Sequence, residues 1–264
     1  MTTPMKPRVA AVFALALSVG CDRAEPVEPG PVRTQAVSAA LGSAPKKLDV
    51  SLCSPTNSGF TIVSTNPWFP MDVGRQLILT GEEDGETIVF QLTVLDRTRV
   101  IAGVTTRVIE EREFVNGTLA EVSWNYHVQA SDGTICYYGE DVDAYENGGV
   151  SHEGAWCAAT PGNQPGIFMP ANPQPGMKYQ NEIAPGVAED EAQIVGLGPR
   201  VVPFGRFTET IRIREHDPLD GGTEFKVHAF STGIIVDATL ELVDINSTSG
   251  APPLPSITTQ FCGT

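Results

Sequence analysis

Basic residues are scarce in this chain: 17 Lys and Arg stand against 32 Asp and Glu, a formal charge of −15 over 264 residues. A surface this negative repels phosphate backbones and anionic lipid headgroups, so it excludes nucleic acid as a partner and gives no electrostatic route to a membrane. Long apolar runs are missing as well. The longest, residues 9–19, covers eleven positions, short of the roughly twenty that cross a bilayer as a helix. No helical periodicity of useful length follows it. Nucleophile motifs are absent: no G-x-S-x-G occurs, and no Ser-x-x-Lys lies beyond residue 48. Only four histidines exist, His127, His152, His216 and His228. Their spacing forms no metal pair, so exposed strand or loop positions are expected for all of them. The five cysteines show no zinc or catalytic spacing either.

What is present begins at the N-terminus. Lys6 and Arg8 precede the apolar run, which ends in Leu17-Ser18-Val19-Gly20 directly before Cys21. Positive residues, a short apolar core and a small-residue end form an export signal. The arrangement resembles the bacterial lipobox, which implies a signal peptide over 1–20 and a mature N-terminus at an acylated Cys21. Each buried CH₂ adds about 0.8 kcal/mol, so two or three palmitate-like chains anchor stably where one would not. The expected location is therefore the cell membrane or outer membrane, held by lipid, with the domain facing the periplasm or exterior. Residues 21–48 are rich in Pro, Ala, Ser and Glu and cannot bury enough surface to order, which predicts a disordered tether. Removing Lys6 and Arg8 with the signal leaves 15 basic against 32 acidic residues, or −17.

Residues 49–264 suit one β-domain. Turn pairs recur at Asp84-Gly85, Ala102-Gly103, Asn116-Gly117, Asp132-Gly133 and Asn147-Gly148. Between them apolar residues alternate, as in Ile88, Phe90, Leu92, Val94 and in Val122, Trp124, Tyr126, Val128; Ser123, Asn125, His127 and Gln129 take the opposite face. Period two with such turns predicts antiparallel hairpins. The runs are long, so the all-β meander must curl into a half-barrel or open barrel. Proline density makes residues 159–185 an irregular insert that crosses the sheet or its open end. Strands resume at 193–203, 208–215, 224–230 and 234–243. Four cysteines remain after Cys21, and an even number in an exported chain predicts two disulfides. Of three connectivities, the turn at 146–150 favours Cys136–Cys157, leaving Cys53–Cys262 to join the domain's ends.

Four segments carry a resemblance: Asn66-Pro67-Trp68-Phe69-Pro70-Met71; Tyr137-Tyr138-Gly139-Glu140-Asp141; Pro165-Gly166-Ile167-Phe168-Met169-Pro170-Ala171; and Tyr179-Gln180-Asn181-Glu182. Together they resemble an uncharacterised family of bacterial exported proteins with NPWFP, YGED and PGIxMPA motifs, over roughly residues 66–236. The likeness implies export and a β-fold but no reaction. Asn125-Tyr126-His127-Val128-Gln129 departs from the family's WYAQD and lacks its aspartate. Cys136 stands where the family has an aromatic, which supports a disulfide particular to this chain.

The chemistry-bearing run is 137–146. In a regular strand Tyr138, Glu140, Val142 and Ala144 share one face, while Asp141, Asp143 and Tyr145 share the other. Glu140 beside apolar neighbours is the setting that raises a carboxyl pKa and suits acid–base work, or a carboxylate that caps loop amides. Asp141, Asp143 and Glu146 are candidate calcium ligands, although a solvated acidic strand is the simpler reading and no other cofactor is implied. Glu182 is expected to approach Glu140 across the barrel mouth, a pairing that would suit glycoside hydrolysis. Trp68, with Phe69 and Met71, is expected to plug a barrel end rather than line a ligand mouth. The leading reading is a binding or accessory envelope lipoprotein, with a small molecule or envelope protein as partner. A carboxylate- or cation-dependent hydrolase and a structural surface lipoprotein are the alternatives. Intact-mass analysis of protein from native membranes should show a chain beginning at Cys21 and carrying acyl groups. An unprocessed, unacylated chain would overturn export and anchoring together.

Overall fold

The computed structural model describes residues 46–264 except 147, 259, 263 and 264. The signal, Cys21 and nearly all of the tether therefore lie outside the described residues. Lys46 to Leu48, assigned above to the tether, are paired: the Lys178 amide donates to Lys46 and the Leu48 amide to Lys178. The domain accordingly starts slightly before residue 49.

Among the described residues there is no α-helix, only a 3₁₀ turn at Val50–Cys53 capped by the Asp49 carboxylate. The rest is one antiparallel sheet of fourteen strands that is curved but not closed. Five long strands open it: β1 (Arg75–Glu83), β2 (Glu86–Ile101), β3 (Val104–Val115), β4 (Thr118–Gln129) and β5 (Ile135–Glu146). Short β6 (Gly149–Ser151), β7 (Trp156–Cys157) and β8 (Gly166–Met169) all pair with β5. Next come β9 (Lys178–Gln180), β10 (Glu191–Val202), β11 (Gly205–His216), β12 (Thr223–Ala229), β13 (Gly233–Asp237) and β14 (Leu240–Ser247), which returns to pair with β1. The order runs β6-β5-β4-β3-β2-β1-β14-β13-β12-β11-β10-β9.

The hairpins form for the reason the turn pairs suggest. Asp84-Gly85, Ala102-Gly103 and Asn116-Gly117 have both residues at positive φ, the backbone of the tight turn whose twist matches that of paired strands. The predicted strand at 234–243 is instead two, β13 and β14, broken where Ala238 takes φ 49°. The Pro/Gly insert contributes β8 and β9 at the sheet's margins, where missing amide donors cost little. It spans the open side, and the Gln164 amide donates to the Ile183 carbonyl across the gap at 2.9 Å.

The expected exposure of His127 and of the acidic run in β5 fails: His127, Asp141 and Asp143 are buried. Ser123, Asn125, His127 and Gln129 are as buried as Trp124 and Tyr126. The first set faces the inside of the curve, and the second lies beneath a C-terminal strap made by residues 251–258 and 260–262. Asp141 and Asp143, expected in water or on calcium, are fully buried anchors of that strap. Asp141 accepts hydrogen bonds from the Phe261 and Cys262 amides at 2.7 and 2.8 Å and from the Tyr126 hydroxyl at 2.5 Å. Asp143 accepts from the Thr258 amide and hydroxyl, both at 2.7 Å, and faces His152 at 3.1 Å. Both Asp141 oxygens and the Oδ2 of Asp143 are taken up in this way, and among the described residues no trio of His, Cys, Asp or Glu is arranged to hold a metal. Glu146 sits apart at the end of β5.

The disulfide pairing also differs from expectation. Cys53 joins Cys136 and Cys157 joins Cys262. The first bridge ties the Val50–Cys53 turn onto β5, and the second ties the C-terminal segment onto β7 beside β5, so neither simply clips the domain's ends. Tyr138 completes the arrangement by donating to the Cys53 carbonyl at 2.7 Å. Each buried N–H left without an acceptor costs about 1–3 kcal/mol. Asp141→Ala should thus lower stability by about 3 kcal/mol or more in urea denaturation with both disulfides intact. A loss under about 0.5 kcal/mol would show that the strap is held elsewhere.

Candidate functional site

The site lies inside the curve, and a single irregularity in β5 composes it. Asn125 pairs with Glu140 but His127 pairs with Tyr137, so the register slips by one residue at Tyr138-Gly139. Gly139 has φ +127°, and a Cβ there would lie 2.3 Å from the Trp156 carbonyl oxygen. Such a bulge re-aims the strand. The slip puts Tyr137, rather than Tyr138, on the face of Glu140 and sends Tyr138 to the strap side with Asp141. The expected pairing of Tyr138 with Glu140 is corrected on that ground.

Across the gap, Gly166 approaches so closely that a Cβ would come within 1.9 Å of the Asn181 carbonyl oxygen. That contact seats Asn181 and Glu182 against β8. Glu182 thereby reaches the cavity that Glu140 lines, as the sequence suggests. An inner compartment of about 170 Å³ is bounded by Phe69, Tyr137, Glu140, Phe168, Asn181, Glu182 and neighbours. It continues into a more open compartment of about 360 Å³ through shared walls at Glu140, Glu182, Asp190, Lys226 and Asp237. Phe69 closes the inner end, its ring 5.1 Å from His127, 4.6 Å from Phe168 and 6.3 Å from His228. Trp68 belongs to the same plug, edge-on to Phe230 at 5.4 Å.

Charge sets the character of the space. Eleven carboxylates line the two compartments, and among the described lining residues Lys226 is the lone cation. Its ammonium is held by Glu215 at 2.9 Å, Glu224 at 3.2 Å and Asp237 at 3.7 Å. Burial alone would lower its pKa, but those three acids outweigh it and keep it well above the ordinary lysine value. Glu111, Glu121, Glu140 and Glu182 have no ion-pair partner among the described residues. Burial pushes Glu140 well above the usual carboxylate range, and Glu182, Glu121 and Glu111 push it further. Glu182 rises to about 8 through burial and the charges of Asp190 and Glu215. Burial also lifts Glu111, Glu121, Asp190 and Asp237 to about 7 each. Protons shared among such neighbours belong to the cluster, not to single residues.

The neutral groups are as informative. The Tyr137 hydroxyl donates to Asn125 Oδ1 and stands beside Glu140, and Asn125 donates to Ser123 at 3.0 Å. Asn181 donates to Glu215 at 3.1 Å, yet its buried Oδ1 has no hydrogen-bond partner. Two histidines expected at the surface are buried here: desolvation lowers His127 to about 3 and His228 to about 4, so both are uncharged.

Of the residues named from sequence, Glu140 and Glu182 line the compartments, Tyr138 and Trp68 do not, and Asn181, Asp190, Glu215, Lys226 and Asp237 were not named as site residues. A signal existed. Ile211 and Ile213 form a buried alternating face that continues into Glu215, and Lys226 lies directly opposite Ile213. A charge that continues an apolar stripe marks a lined cavity. A separate groove of about 460 Å³ on β10–β13 carries Arg200 and Arg212 but no carboxylate. With the geometry in view, comparison with known proteins adds nothing: no family model, curated protein or solved structure matches the chain.

The cavity acids hold protons in the folded state at pH values where the unfolded chain, with carboxyl pKa values of about 4, is ionised. Their stabilising contribution is present below pH 4 and lost as pH rises through 7–8. The two histidines act oppositely, but their effect is complete above about pH 6.5. Melting temperature should therefore fall by about 5 °C between roughly pH 6.5 and 8.5, and Glu140→Gln should lessen the fall. A flat or rising profile would contradict this account of the cavity.

Proposed function

We propose that this chain is an exported envelope lipoprotein whose β-domain binds a small ligand between the arms of its curved sheet. One observation carries the reading: carboxylates from across the sheet, one lysine and an unpartnered amide oxygen converge on a cavity plugged at its inner end. Burying charge without counter-charge costs several kcal/mol, and an apolar lining would be more stable. Clustered groups with shifted pKa values in a concave site are what binding and catalysis require. Anchoring is assigned to acyl chains on Cys21, which place the domain outside the cytoplasm on the cell membrane or outer membrane. Among the described residues no helix is long and apolar enough to cross a membrane. The acidic surface argues against nucleic acid as a partner, and an envelope protein remains compatible with the outer face.

A second reading, an envelope hydrolase, is favoured by one specific feature. Glu140 and Glu182 share the cavity, and the charge of Glu182 raises the proton affinity of Glu140, the kind of setting in which one carboxyl acts as acid and its neighbour as base. Binding ranks first because the sequence carries no nucleophile motif and, among the described residues, no metal trio accompanies the pair. A thermal-shift panel of cationic, neutral and anionic small molecules on the mature lipoprotein tests the order. A ligand at a hundred times its Kd adds about 2.7 kcal/mol, or roughly 5–10 °C for a domain of this size. The reading fails if no class shifts the melting temperature, and a ligand that is consumed during the assay moves the hydrolase to first place.

A further inference from the structure

The ligand's chemistry can be narrowed, on the condition that the cavity binds a ligand at all. We propose that the two joined compartments take a linear aliphatic polyamine, one ammonium lodged by Glu140, Glu182 and the Asn181 Oδ1, and the next lying toward Glu121 and Glu113. Four observations converge on that class.

The first is the charge imbalance. Lys226 occupies Glu215, Glu224 and Asp237, which leaves most of the remaining lining acids without a counter-charge. A cationic guest supplies it, and a neutral or anionic guest does not.

Second, the Asn181 Oδ1 is an acceptor inside a residue only 6% exposed, and no donor among the described residues reaches it. It lines the inner compartment with Glu140 and Glu182. An ammonium carries three N–H donors and no acceptor, the complement of two carboxylates and one amide oxygen.

The third concerns how the acids are spread. Among the described residues they form no trio suited to a metal ion. Glu140 and Glu182 border both compartments, whereas Glu113 and Glu121 line the outer one alone. A point charge cannot serve such a file of carboxylates, but cations separated by methylene spacers can.

Fourth, apolar surface accompanies the acids: Phe69, Phe168, Leu92 and Ile234 in the inner compartment, Phe90 and Leu240 in the outer. These are partners for methylenes, each worth about 0.8 kcal/mol when buried. Together they separate a polyamine from a bare inorganic cation.

The test uses the mature full chain in a neutral detergent at about pH 8 and low salt, titrated calorimetrically with spermidine, butylamine, calcium chloride and a neutral disaccharide. Spermidine should bind one to one and at least about tenfold more tightly than butylamine. Glu140→Gln and Glu182→Gln should each weaken it by about tenfold or more, while Glu82→Gln, an exposed acid, should leave it unchanged. The Gln variants keep shape and remove charge, and their melting curves confirm folding. Equal binding of spermidine and butylamine would overturn the polyamine assignment. So would spermidine binding undiminished in both cavity variants, because the net surface charge would then be responsible. Uptake of the disaccharide or calcium alone would overturn the amine class and leave ligand binding standing. No binding of any probe by folded protein would sink both.

Discussion

The slip in β5 at Gly139 is the constraint on which the molecule depends, because it separates two sets of acids on one strand into opposite environments. Asp141 and Asp143 face the strap, where amides and hydroxyls hold both oxygens of Asp141 and the Oδ2 of Asp143 at 2.5–2.8 Å. Glu140, one residue earlier, faces inward, where its nearest charges are other carboxylates. Without the slip, Tyr138 and Glu140 would share a face, and the Cys53–Cys136 bridge and the cavity wall would compete for it. A glycine is needed there, since any Cβ would meet the backbone of β7.

Strap and cavity are consequently two sides of one sheet serving different ends. On the strap side, a carboxylate that accepts three hydrogen bonds is an efficient anchor for a terminal segment with no ladder of its own. The Cys157–Cys262 bridge adds covalent closure to the same contact. This bracing lets the inner face bear mutual repulsion among acids that would otherwise open an unclosed sheet. Marginal stability makes that trade necessary: a domain that carries repulsive charge inside must recover the cost elsewhere.

Much of the fold was legible because it is local. Period-two alternation and pairs such as Asn116-Gly117 specify hairpins within a dozen residues, and the insert's prolines mark the sheet's margin. What was illegible depends on long-range approach. The disulfide partners are 83 and 105 residues apart, beyond what a turn can indicate. A one-residue slip leaves no mark in hydrophobic pattern except a glycine, and it exchanged Tyr138 for Tyr137 in the site. His127 and Asn125 read as a solvent face because nothing in β4 shows that β12 and the plug at Phe69 cover them. Glu182 was legible as a partner of Glu140, but Lys226 and Asp237 were not. They meet that pair only through the curl of the whole sheet.

The curl also decides which functional reading the acids support. On a flat sheet the same residues would project into water, each with an ordinary pKa and a worth near zero. Folded inward, they meet lower dielectric and one another, and each proton gained or lost changes the field on the rest. Lys226, in the wall shared by both compartments, relieves this locally and is bound to Glu215, Glu224 and Asp237. Glu140 and Glu182, which have no ion-pair partner among the described residues, line the inner compartment where Asn181 offers an acceptor and Phe69 and Phe168 provide an apolar floor. Excess negative charge, a spare acceptor and hydrocarbon at one place describe the complement of an alkylammonium group.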